Sequence, residues 1–137
     1  MRAEEFILSN GLKVVHLELP GAQNFRLHLH VPVGSAHDPS GIKGLSHILE
    51  HTVLCGTSEM SEEEFEHAIA SMGGSSNAAT GNNSTEFDFN ASSYNQDHYV
   101  QLADLLRQTL TKPAFDPERV EIEKNVILNE KSGGQIS

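Results

Sequence analysis

Apolar and polar residues change rhythm several times along the 137 positions, and each change marks an element. Phe6-Ile7-Leu8 and Leu12-Lys13-Val14-Val15-His16-Leu17 flank Asn10-Gly11. That dipeptide supplies the positive φ angles of a tight turn, so residues 5–18 read as an antiparallel hairpin. Phe25, Leu27, Leu29, Val31 and Val33 then alternate with Arg26, His28 and His30, as in a strand with one buried face. Residues 34–41 carry glycine, proline and serine and read as a loop. From Gly41 to Leu54 the spacing turns helical, with Gly56 as the stop. Ser61 caps a second helix, Glu64 closes the capping box and Met60 staples onto Phe65. This helix is predicted to reach about Met72 and to end at Gly73-Gly74. Ser75–Thr80 and Thr85–Ala91 read as strands joined by Gly81-Asn82-Asn83-Ser84, with Thr85, Phe87, Phe89 and Ala91 on one face. From about Asn95, the residues Tyr99, Leu102, Leu105, Leu106 and Leu110 repeat helically up to Pro113. Asp116-Pro117 opens a last helix, predicted to run through Glu130 and to end before Gly133-Gly134. This order predicts an α+β fold, an antiparallel sheet with helices packed on one side.

Composition narrows the function. Residues 1–137 are enough for one modest domain. A formal net charge of −10 argues against nucleic acid or an anionic membrane surface as partner. It suits basic peptides, although a solvated acidic surface is the commoner cause. No apolar run reaches membrane-spanning length. Cys55 is the one cysteine, which precludes an intrachain disulfide. Met1-Arg2-Ala3-Glu4-Glu5 lacks the profile of a secretory signal, so a cytoplasmic location is the expectation.

The chemistry concentrates in Gly44-Leu45-Ser46-His47-Ile48-Leu49-Glu50-His51, which contains His-x-x-Glu-His. On a helix, residues i and i+4 share a face, so His47 and His51 can grip one metal ion together. Two imidazoles and one carboxylate leave Zn²⁺ a fourth position for water, and Glu50 stands where it can take that water's proton. The pattern is the inverted zincin motif. The last helix offers the missing carboxylate. Glu123 and Glu130 are seven residues apart, close to two full turns at about 100° per residue, and share a face with Ile127. Spacing does not choose between the two glutamates.

These residues resemble the pitrilysin/insulysin (M16, inverzincin) family of zinc metallopeptidases, which includes insulin-degrading enzyme and the mitochondrial processing peptidase. The resemblance starts at Gly34-Ser35-Ala36-His37-Asp38-Pro39 and takes in the motif with Gly56-Thr57. It continues through Gly73-Gly74-Ser75-Ser76-Asn77-Ala78-Ala79-Thr80 and Thr85-Glu86-Phe87 to Glu123-Lys124-Asn125-Val126-Ile127-Leu128-Asn129-Glu130. It implies that His47 and His51 ligate zinc and that Glu50 is the general base. Glu130 matches the third zinc ligand. Glu123 matches the acid that supports the catalytic set by orienting a ligand or the metal water. Asn77 and Ala78 match an edge strand along which the substrate peptide lies, paired through its backbone. The implied activity is zinc-dependent endopeptidase action on peptides or small proteins.

Two departures qualify the resemblance. Phe87 stands where many members have tyrosine. Family members are also much longer, with this domain repeated and the halves closing on the substrate. The chain is therefore expected to be the N-terminal part of one M16-like domain, needing a second homologous domain or partner chain. The alternative is a non-catalytic peptide-binding or assembly subunit. A homo-oligomeric assembly is left open.

Blander readings attach to the remaining polar residues. His28 and His30 lie opposite the apolar face of their strand and are expected to be exposed or lightly packed. His16, His37, His67 and His98 have no partner at ligand spacing. Cys55 is expected to be a small buried apolar residue rather than a ligand. Glu62-Glu63-Glu64 is expected to be an acidic first turn that complements the helix dipole.

Overall fold

The computed structural model describes residues 1–93 and 95–133, and the backbone alone at 132 and 133. Strands β1 (Arg2–Ile7) and β2 (Lys13–Glu18) form an antiparallel two-stranded ribbon. β3 (Phe25–Val31), β4 (Ser75–Thr80) and β5 (Thr85–Ala91) form a separate antiparallel sheet in the order β3-β5-β4. The helices are α1 (Leu45–Val53), α2 (Glu62–Ser71), α3 (Gln96–Thr111) and α4 (Pro117–Gly133). The α+β class and the antiparallel pairing agree with the sequence pattern. The first hairpin does not join the larger sheet, a separation that alternation alone does not reveal.

The inward face of β5 carries Phe87, Phe89 and Ala91, all buried. Phe89 and Ala91 join Phe65, Ile69 and Met72 with Leu102 and Leu105 in one core. Phe65 meets Phe89 edge to face, with ring centroids 6.0 Å apart, the arrangement aromatic quadrupoles favour. Helices α2 and α3 thus close one side of the sheet. The other side is polar. Arg26 forks onto Asp88 at 2.5 Å through Nε and Nη2, while His28 and His30 converge on Glu86 at 2.7 and 2.6 Å. Both histidines are exposed, as expected, but held by Glu86 through hydrogen bonds rather than idle.

Several boundaries differ from the expectations. β1 begins at Arg2 rather than residue 5, and β3 ends at Val31 rather than Val33. The loop after β3 holds a 3₁₀ turn at Ser35–His37. α1 starts at Leu45, not Gly41, because Gly41 and Gly44 take φ values of 84° and 94°, outside the right-handed helical region. α4 continues three residues past Glu130 and includes Gly133, before which it was expected to end; residues 134–137 lie outside the described residues. The capping box of α2 is present. Glu64 N donates to Ser61 Oγ at 3.1 Å and Ser61 N to Glu64 Oε1 at 3.3 Å.

The entry to α1 is fixed from outside the helix. Ser35 N donates to Gly81 O at 3.0 Å and Ala36 N to Asn82 O at 2.9 Å, so the loop is stitched to the β4–β5 turn. A Cβ on Gly34 would overlap the Gly81 and Asn82 backbone, so this close approach requires glycine. Asp38 then accepts from Gly44 N at 2.9 Å, from Ser46 N at 3.0 Å and from Ser46 Oγ at 2.6 Å. Gly44 offers no capping side chain, and Asp38 satisfies the first amides of α1 in its place.

Candidate metal centre

α1 and α4 pack together and bring the motif histidines against Glu123 and Glu130 of α4. His47 Nε2 lies 3.0 Å from His51 Nε2, with the rings edge to face at a centroid distance of 4.6 Å. Glu130 reaches across from α4. Its Oε2 is 3.5 Å from His47 Nε2 and its Oε1 is 3.8 Å from His51 Nε2. Glu50 Oε2 is also 3.8 Å from His51 Nε2. One donor atom each from His47, Glu50 and His51 fits within a span of 4.8 Å. Glu130, on the facing helix, approaches both imidazoles, whereas the ion-pair contact of Glu50 is with His51.

The donor set fits zinc. Ligand atoms 2.0–2.1 Å from a tetrahedral ion lie about 3.3–3.4 Å from one another. The two imidazole nitrogens stand 3.0 Å apart, and Glu130 brings one oxygen to 3.5 Å from His47 and its other oxygen to 3.8 Å from His51, each close to that value. Nitrogen and carboxylate oxygen are ligands that zinc accepts.

Glu123 occupies a different place from Glu130. Its Oε2 accepts from His51 Nδ1 at 2.9 Å, on the far side of the ring. This carboxylate partner assigns the proton to Nδ1 and leaves the Nε2 lone pair facing His47 and Glu130. Glu123 is 7% exposed as a residue, a burial that glutamate tolerates only when paired. Its Oε1 meets Arg119 Nη2 at 2.9 Å.

Burial raises the pKa of Glu50 above the ordinary carboxylate range, with the charge of Glu130 adding to the effect. His51, His47 and a 3.4 Å contact from Thr80 Oγ1 oppose it. Burial also pushes the Cys55 thiol up to about 11, with Glu62 contributing and Arg119 opposing. Its Sγ donates to the His51 carbonyl oxygen at 3.2 Å. A neutral thiol in that bond has the character of a packing residue.

The strand β4 runs beside this centre as an edge of its sheet. Asn77 and Ala78 line a cleft of about 280 Å³, together with Glu50, His51, Phe65 and Glu123. Asn77 is exposed and Ala78 half-buried. Every site residue expected from the sequence therefore falls within or beside one cluster. Sequence reasoning gave no role to Asp38, Thr80 or Arg119, and it assigned Glu62 only to the helix dipole. Arg119 stands four residues before Glu123, a spacing that signals a helical ion pair. The cap from Asp38 and the contact from Thr80 have no comparable sequence signal.

Comparison with known proteins gives the same picture. The family described as Insulinase (Peptidase family M16) matches residues 13–133. Human insulin-degrading enzyme is 33% identical over 124 residues, covering 90% of this chain and 12% of that protein. An uncharacterized zinc protease of Bacillus subtilis is 28% identical over 127 residues, covering 93% of this chain and 30% of its own length. The crystal structure of pitrilysin superposes with a TM-score of 0.81 at 28% identity, covering 97% of this chain and 14% of that one. The chain thus spans about an eighth of the length of the first relatives it matches.

Proposed function

Since the chain belongs to the insulinase family of peptidases, family M16, we propose that it supplies the metal-binding part of a zinc-dependent endopeptidase. The observation that carries this reading is the approach of Glu130 to both Nε2 atoms of the His47–His51 pair from a separate helix. His47, His51 and Glu130 hold the ion, and Glu123 orients His51. Zinc in that position supplies Lewis-acid polarisation of a peptide carbonyl and acidifies a water molecule.

The chain's own residues do the proton work. Glu50 accepts the proton of the attacking water and returns it to the leaving amine. Its burial supports the first half of this role, because a carboxylate whose pKa is raised is the stronger base toward the water proton. Thr80, on β4, steadies the other oxygen of Glu50. A peptide adds to the free edge of β4 at Asn77 and Ala78 through backbone hydrogen bonds, which suits loose sequence selectivity.

A second reading is favoured by the share of the relatives that the chain spans, 12% of human insulin-degrading enzyme. In it the chain binds zinc and peptide but turns over only with a second homologous domain or a partner chain. Metal analysis of the purified protein, followed by hydrolysis of a quenched peptide with and without chelator, tests both. Bound zinc with chelator-sensitive cleavage supports the first, and bound zinc without cleavage supports the second. No zinc at any concentration up to the millimolar range defeats both.

A further inference from the structure

The guanidinium of Arg119 joins three helices at the back of the metal centre. Its Nε and Nη2 donate to Glu62 at 2.9 and 3.1 Å, a forked pair with the first turn of α2. The same Nη2 meets Glu123 Oε1 at 2.9 Å, and Glu123 Oε2 meets His51 Nδ1 at 2.9 Å. The chain of contacts therefore runs Glu62–Arg119–Glu123–His51, from α2 through α4 to α1. Side chains along it are 32%, 31%, 9% and 17% exposed at Glu62, Arg119, Glu123 and His51, so its inner half is the better buried.

We infer that Arg119 is a positioning residue for the metal centre: anchored by Glu62, it fixes the Glu123 carboxylate so that one oxygen stays on His51 Nδ1. The inference rests on the zinc reading above. The geometry explains why a forked cation is needed. Both oxygens of Glu123 are engaged, one by Arg119 and one by His51, so the carboxylate cannot rotate without losing a bond. Arg119 in turn cannot swing away, because Nε and the shared Nη2 also donate to Glu62. The His51 ring inherits this restraint, and its Nε2 lone pair stays aimed at His47 and Glu130. Lysine, with a single ammonium on a flexible stem, can keep the contact to Glu123 but not the fork to Glu62.

The test compares wild type, R119A, R119K, E62Q and E123Q by zinc affinity in chelator competition. The tautomer of His51 in metal-free protein is read in parallel by ¹⁵N NMR of the imidazole. R119A is expected to weaken zinc about tenfold or more, the range for loss of an outer partner of a ligand. R119K and E62Q should fall between it and wild type. R119A/E123Q should bind no more weakly than E123Q alone. The His51 Nδ1–H form should dominate in wild type and become mixed in R119A. Wild-type zinc affinity in R119A, or an unchanged His51 tautomer, overturns the inference. Should wild type itself bind no zinc, the zinc reading fails, and the tautomer comparison still decides the role of Arg119. E62Q leaves the arginine in place, so it answers the question even where R119A does not fold.

Discussion

Glu123 Oε2 bonds His51 at Nδ1, the ring nitrogen opposite the one that stands 3.0 Å from His47 Nε2. Two glutamates one heptad apart on α4 thus address opposite sides of one imidazole. Glu130 faces the proposed metal and Glu123 faces away from it, and this difference separates their expected phenotypes.

Glu130→Ala is expected to lower zinc affinity by more than about a hundredfold, beyond the range for losing an outer partner. Glu123→Gln is expected to lower it about tenfold to a hundredfold. Competition with a fluorescent chelator measures both. Equal and small losses would remove Glu130 from the ligand set.

Glu50→Gln is expected to keep zinc within about twofold of wild type, while hydrolysis in the active assembly falls by about a thousandfold, in the range for a general acid–base. Equilibrium metal content and cleavage rate, measured on the same sample, separate the two effects. Loss of zinc in this variant would make Glu50 a ligand and leave the proton work unassigned.

These roles were unevenly legible beforehand. His47, Glu50 and His51 could be grouped because a helix converts i, i+3 and i+4 into one patch. Spacing places Glu123 and Glu130 on one face without telling them apart, since periodicity gives direction around α4 and not which helix stands opposite each turn; the different roles expected of them come from the family resemblance. The two strands Ser75–Thr80 and Thr85–Ala91 were bounded correctly because glycines and a short polar turn flank them. The start of α1 was not, because Gly41 and Gly44 adopt positive φ and the capping group arrives from Asp38, six residues before Gly44.

Asp38→Ala is expected to lower Tm by roughly 3–6 °C at neutral pH by uncapping α1. Hydrogen bonds from Ser46 hold the Asp38 carboxyl below its ordinary value of 3.8. A depressed folded pKa contributes stability that is complete above 3.8 and is lost as pH falls through the lower folded value. The Tm gap between wild type and variant should therefore be constant near neutrality and close only in that acid window. Thermal melts across pH would show it, and a gap independent of pH would assign the loss to something other than the carboxylate.

Phe65→Ala is expected to cost about 3–5 kcal/mol, the usual range for emptying an aromatic core position. Phe65 is 1% exposed and meets Phe89 edge to face, so no solvent-facing arrangement relieves the loss. Chemical denaturation with an unchanged m value would register it. A cost under about 1 kcal/mol would mean that α2 does not close the sheet as described.

A turn between two strands is ordinarily a place where evolution or an engineer can add residues freely. The one at residues 81–84 lacks that freedom, because Gly81 and Asn82 carbonyls receive the amides of Ser35 and Ala36, just ahead of Asp38. A lengthened turn would drag the lead-in of α1 with it and tilt His47 relative to Glu130. The bend between β4 and β5 is thereby a spacer of set length, gauging the gap across which the proposed ion must be held.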